Sequence, residues 1–200
     1  MLLRLSLLLT LLVAGAQPAN AQLRSQGELF LQEVRKDERG KISEKINDPG
    51  FRLINYRGSK GETALILMVE DKREAWVRAL LRRDADPNVR RDDGESPLTL
   101  ATQLQSVSMV ETLLAYKADP DVGNRLGETP LMIAVRLRNE PLVKLLVSAG
   151  ADPDQSDRAT GMSARDLARR DTRHPELLAL LDDEPEEKSE SKLKFGPILR

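Results

Sequence analysis

One histidine, His174, and no cysteine occur among the 200 residues, which narrows the chemistry open to this chain before any fold is considered. General-base catalysis needs a nucleophile or water within reach of the base. His174 lies directly before Pro175, and no nucleophile has a matching place, so a polar loop residue is the simpler reading. Zinc sites of the usual ligand types are excluded by the same counts. Asp152, Asp154 and Asp157 suggest a calcium loop at first sight. Asp157 and Ser163, however, stand where that loop needs its glycine and its closing glutamate. No phosphate-cradling GxxxxGK[ST] or GxGxxG run occurs. No catalytic residue, cofactor or metal is therefore expected, and the chain is read as a non-enzyme.

Charge excludes a second class. Basic and acidic residues number 31 and 32, so there is no clustered basic excess of the kind nucleic acid requires. Aromatic residues make up 3%, too few for base-stacking platforms. The paired arginines Arg82-Arg83, Arg90-Arg91, Arg136 with Arg138, and Arg169-Arg170 have acids nearby and read mainly as solvated faces.

What the sequence does specify is a repeat. Gly61, Gly94, Gly127 and Gly161 are separated by 33, 33 and 34 residues, each opening a related segment: GETALILMVE, GESPLTLATQ, GETPLMIAVR and GMSARDLARR. Ala85-Asp86-Pro87, Ala118-Asp119-Pro120 and Ala151-Asp152-Pro153 close the first three units. Between lie the apolar pairs Val77 and Leu80, Val110 and Leu113, Val143 and Leu146. Such a period marks stacked units, each of which buries its apolar face only against its neighbours. Thr63, Ser96 and Thr129 are placed to cap a first helix, and Pro97 and Pro130 fit its first position. A second helix follows, with apolar residues at three- and four-residue spacing such as Leu142, Val143, Leu146 and Val147. Gly150 can then end it in the left-handed conformation.

This outline resembles the ankyrin repeat, whose signature Thr-Pro-Leu-His-x-Ala stands here as Thr-Pro-Leu-Met-Ile-Ala at 129 to 134. The resemblance covers 61 to 160 and extends more weakly to both sides. It implies an all-α fold: an ankyrin-repeat solenoid of about five stacked helix-turn-helix units with short turn fingers. The signature histidine is replaced by Ile66, Thr99 and Met132, so its hydrogen bonds are expected to be missing. Asp84 and Lys117 replace the helix-ending glycine, which makes the first two full units looser than the third. Arg165 holds the usual leucine position.

The expected organisation is a signal peptide over 1–21, a degenerate N-terminal capping repeat over 22–60, and ankyrin repeats over 61–93, 94–126 and 127–160. A C-terminal capping repeat over 161–183 and a disordered tail over 184–200 complete it. Glu28 to Val34 with Lys41 to Ile46 form the first cap's helices; Ser163 to Arg170 with Pro175 to Leu181 form the last cap's. The signal peptide rests on Arg4, an apolar run of 12 residues from Leu5 to Ala16, and the Ala19-Asn20-Ala21 site. Cleavage leaves 30 basic and 32 acidic residues from Gln22 onward. A periplasmic or extracellular protein follows, with no membrane contact after cleavage and no disulfide.

In the family resembled, partners usually bind the concave surface formed by the turn tips and the exposed side of the first helix. That surface here comprises Arg57, Lys60, Glu62, Glu70, Asp71, Arg90, Asp92, Asp93, Glu95, Gln103, Leu104, Arg125, Leu126, Glu128, Arg136 and Leu137, with those from Arg90 onward as the expected partner-binding residues. The three leucines are expected to be exposed, and exposed apolar residues mark a binding patch. A monomer that binds another protein is the principal reading. The alternatives are an enzyme accessory using His174, an adaptor tethered by an uncleaved N-terminus, and docking through the tail residues Lys192 to Arg200.

Overall fold

A computed structural model of the chain describes residues 19–182. The expected signal segment up to residue 18 and the expected tail lie outside the described residues. Among the described residues ten helices form five pairs: α1 (Ala19–Arg35) with α2 (Arg39–Asn47), α3 (Ala64–Glu70) with α4 (Glu74–Leu81), and α5 (Pro97–Gln103) with α6 (Val107–Ala115). Then come α7 (Pro130–Arg136) with α8 (Glu140–Ser148), and α9 (Ala164–Arg170) with α10 (Pro175–Asp182). Inner helices α1, α3, α5, α7 and α9 pack in one row; α4, α6, α8 and α10 pack in an outer row. Among the described residues there is no strand, only an isolated antiparallel bridge between Ser156 and Ser163. The all-α solenoid of five units is the observed architecture. One difference lies at the first cap, where α1 starts at Ala19 rather than Glu28, so the Ala21 junction falls in its first turn.

Inner helices are short and enclosed. In α5 every residue from Pro97 to Thr102 is buried, and in α7 every residue from Pro130 to Val135. Seven residues make under two turns, too few for a helix to persist on its own. Capping and packing must hold them. Thr63, Ser96 and Thr129 accept hydrogen bonds from the backbone N–H groups of Ile66, Thr99 and Met132 at 3.4, 3.1 and 3.3 Å. Ser163 does the same for Asp166 at 3.2 Å.

The expected loss of the signature histidine's bonds holds only in part. Thr99 Oγ1 accepts from the Ser96 N–H at 2.8 Å, and the Met132 thioether accepts from the Thr129 N–H at 3.5 Å. A hydroxyl or a sulfur there can still close the capping box. Ile66 has no acceptor, and its helix has no box.

Both helices of each central unit end in the same way, by a left-handed residue that turns the next N–H back on the helix. After the outer helices these residues are Asp84, Lys117 and Gly150, at φ 61°, 66° and 88°. Ala85, Ala118 and Ala151 then donate to the carbonyls of Leu80, Leu113 and Leu146 at 3.1, 3.0 and 3.0 Å. After the inner helices they are Lys72, Gln105 and Arg138, at φ 54–55°, and none is glycine.

A side-chain ladder joins consecutive units at the outer turns. Asn55 donates to the Asp84 carbonyl at 3.0 Å and accepts from the Asp86 N–H at 2.8 Å. One unit on, Asn88 donates to the Lys117 carbonyl at 3.2 Å and accepts from the Asp119 N–H at 2.7 Å. Asp121 continues the ladder by accepting from the Asp152 N–H at 2.7 Å. As a carboxylate it has no donor for Gly150.

Candidate binding surface

The fingers that edge the surface are turns closed by backbone hydrogen bonds. Arg91, Asn124 and Asp157 N–H groups donate to the carbonyls of Glu95, Glu128 and Met162 at 2.9, 3.0 and 3.0 Å. Fingers also touch one another, through Asp92 N–H to the Lys60 carbonyl at 3.1 Å and Arg158 N–H to the Leu126 carbonyl at 2.7 Å. Gly94 sits at φ 88°, and a Cβ there would lie 2.5 Å from the backbone nitrogen of Arg125. Gly61, Gly94 and Gly127 therefore permit both the turn and the close approach of the next finger.

The expected surface residues fall into distinct roles. Arg90 is exposed, but its guanidinium donates to the Gly123 carbonyl of the next finger at 2.5 Å, so it braces the frame. Arg91 is held between Glu70 and Asp93. Its hydrogen bond to Asp93 keeps that carboxyl below the usual range. Asp92 is exposed and lies 3.5 Å from Arg57. Beside it Ser59, Lys60 and Asp93 line a shallow depression of about 420 Å³.

Further along the row, Glu128 pairs with Arg136. Asn124, buried between the acids, donates to Glu95 at 3.4 Å and to Glu128 at 3.3 Å. Its own side-chain oxygen accepts from the N–H groups of Leu126 and Glu128 at 3.0 and 3.2 Å. Residue types at position 124 of the register vary between units (Gly58, Arg91, Asn124, Asp157), so spacing alone did not single it out. Its organising role shows only through the bonds it makes.

Leu126 and Leu137 are exposed, at 58% and 37%. Leu104 is not: contrary to expectation, it is half-buried and packs against the core. Val107, which opens the next helix, also packs there, whereas its counterpart Glu140 is polar. The surface thus offers two exposed leucines with Arg125, Arg136 and Gln103 exposed around them.

Elsewhere the candidate groups make local contacts. His174 lies 2.9 Å from Glu176, two residues away. Asp152 and Asp154 stand at turns, where Asp152 accepts from the Asp154 N–H at 2.8 Å. Asp157 accepts from the N–H groups of Thr160 and Gly161 at 2.5 and 3.0 Å. Among the described residues no group of His, Asp and Glu is arranged to hold a metal ion. No described helix is long and apolar enough to cross a membrane. Arg165, in the place of a leucine, is ion-paired with Asp154 at 2.7 Å and with Asp182.

Paired short helices, stacked through fingers at a fixed period, define a helical repeat solenoid with a continuous face for recognition. The family model described as ankyrin repeats (3 copies) matches residues 42–124 and 65–157, together more than half of the chain. The chain belongs to the ankyrin-repeat family. A search of curated proteins found no match. Protein–protein interaction is the function this membership supports.

Proposed function

We propose that this chain is a non-catalytic scaffold exported to the bacterial envelope, where it binds a protein partner through its concave face. The carrying observation is the exposure of Leu126 and Leu137 on a hydrogen-bonded frame, with arginines beside them. Apolar anchors with arginine around them have the composition of an interface hot spot. Export rests on the sequence pattern of the first 21 residues. The balance of charge favours contact by shape and apolar burial over contact by charge alone, so binding should survive moderate salt. Capture from envelope extracts by tagged protein, compared with a Leu126→Ser, Leu137→Ser variant, tests the surface. The variant stays folded and loses the partner. A matched Leu23→Ser, Leu29→Ser variant on α1, where the other exposed leucines among the described residues lie, keeps it. The reverse pattern moves the binding surface to the N-terminal end. The mass of the mature protein tests export, and a chain starting at Gln22 is the expected result.

A further inference from the structure

Glu62, Glu95 and Glu128 hold the same position in three consecutive units, 33 residues apart. Each directly precedes the residue that caps an inner helix. The outer two each meet a guanidinium: Glu62 pairs with Arg35, and Glu128 pairs with Arg136. At Glu62, burial opposes the charge. The backbone N–H groups of Glu62 and Lys60 together with Arg35 outweigh it, holding the carboxyl below the usual range. Glu95 has no paired cation among the described residues. Arg136 stands eight residues beyond Glu128, whereas Gln103 stands eight residues beyond Glu95.

Gln103 donates to Oε1 of Glu95 at 3.2 Å, and Asn124 donates to the same oxygen at 3.4 Å. Oε2 is shielded from water and accepts nothing. Among the described residues it is the single buried side-chain oxygen or nitrogen in that state. A carboxylate oxygen taken from water without a replacement donor is a standing penalty, removed when a donor arrives. Gln103 is exposed and holds Oε1 by one bond, so turning its side chain outward breaks only that bond.

We propose that Oε2 of Glu95 receives an arginine of the protein partner, a guanidinium of the kind that Arg35, from the preceding unit, supplies to Glu62 and that Arg136, from the same unit, supplies to Glu128. The proposal rests on the concave-face reading above and specifies its chemistry. The molecule itself supplies the precedent, since the same position meets a guanidinium on both sides of the vacant one. Leu137 and Leu126 lie on the same face and give the partner's neighbouring apolar residues a place to pack.

The test uses the full ¹⁵N-labelled chain, titrated with N-acetyl-arginine amide. The neutral isostere N-acetyl-citrulline amide is the control. The side-chain amide signals of Gln103 and Asn124 are expected to move with a Kd of roughly 10–100 mM, as for one or two charge-assisted hydrogen bonds. They stay still with citrulline amide and in Glu95→Gln, whose backbone spectrum reports its fold. Gln103→Arg fills the site from within: it raises the melting temperature, abolishes the probe response, and weakens the captured partner about tenfold or more. Equal shifts with citrulline amide, persistence in Glu95→Gln, or no movement at all would each overturn the proposal. Full partner capture by Gln103→Arg, with loss in Leu126→Ser, Leu137→Ser, overturns the arginine while leaving the concave face intact. Retention in both variants removes the concave-face reading itself.

Discussion

Asn88 and Asp121 occupy the same place in consecutive units, and the helix ends they face differ as well. Asn88 gives its amide to the carbonyl of Lys117, a residue with a side chain held at φ 66°. Asn55 does the same for Asp84 at φ 61°. Asp121 has no amide to give, and the residue it faces is Gly150, which tolerates the left-handed conformation without strain. The two features go together: an amide tie at both strained turns, a carboxylate where glycine removes the strain. A turn unfavourable on its own can thus be held by its neighbour in the stack, and stacking then carries part of what local propensity carries elsewhere.

The comparison needs equal cores behind both junctions. Leu113 and Leu146 are both fully buried. Replacing either with Ala should lower the unfolding free energy by about 2–5 kcal/mol, measured by urea titration. Strongly unequal losses would mean that packing, not the turns, separates the two regions. Next in size is Asn88→Ala, which removes both bonds to the following unit and should destabilise by about 1–2 kcal/mol. Combined with Lys117→Gly, the loss should shrink, because the tie then holds a turn that is no longer strained. A double-mutant cycle with no coupling would break the comparison. Lys117→Gly or Asp84→Gly alone should stabilise by about 0.5–1 kcal/mol, read as a higher urea midpoint. Lower midpoints for both would mean that the strain is absent.

The smallest effect concerns Asp121→Asn, which restores the amide and should stabilise by less than about 1 kcal/mol near neutral pH. Burial raises the carboxyl of Asp121 above the usual range; the bond from the Asp152 N–H opposes this, and the charges of Asp119 and Asp152 add to it. Stability tied to its neutral form is present below the ordinary carboxylate pKa and lost as pH rises through the raised value. The advantage of Asn should therefore be greatest at about pH 7 and shrink towards about pH 4, as thermal melts across that range would show. An advantage that grows on acidification would contradict the assignment.

The fold was legible because three units repeat it. Gly61, Gly94 and Gly127 fixed the register, and Thr63, Ser96 and Thr129 cap the helices they were placed to cap. Asp84 and Lys117 could be identified as left-handed because Gly150 stands in their register position. Lys72, Gln105 and Arg138 adopt the same conformation, but no unit shows a glycine there to give it away. The surface was harder to read. Leu104 and Leu137 have the same residue type and register, yet one packs inward and the other is exposed; the residue three positions on is apolar Val107 in one unit and Glu140 in the other. Position in the repeat alone places Glu95 on the surface. That it lacks the cation its equivalents possess depends on Arg35, Gln103 and Arg136 together, which only the packed structure brings into comparison.

Because finger and ladder bonds run only between adjacent units, the molecule's length is free to change in steps of one repeat. Excising residues 94–126 joins Asp93 to Gly127, removing 33 residues without shifting the register of those that remain. Asn88 would then face Gly150 and Asp152 in place of Lys117 and Asp119, and the Gly150 carbonyl would gain the amide donor that Asp121 does not provide. The seam closes on groups already shaped to meet one another, so gene-level loss or duplication of a unit yields a foldable chain with a shorter or longer face.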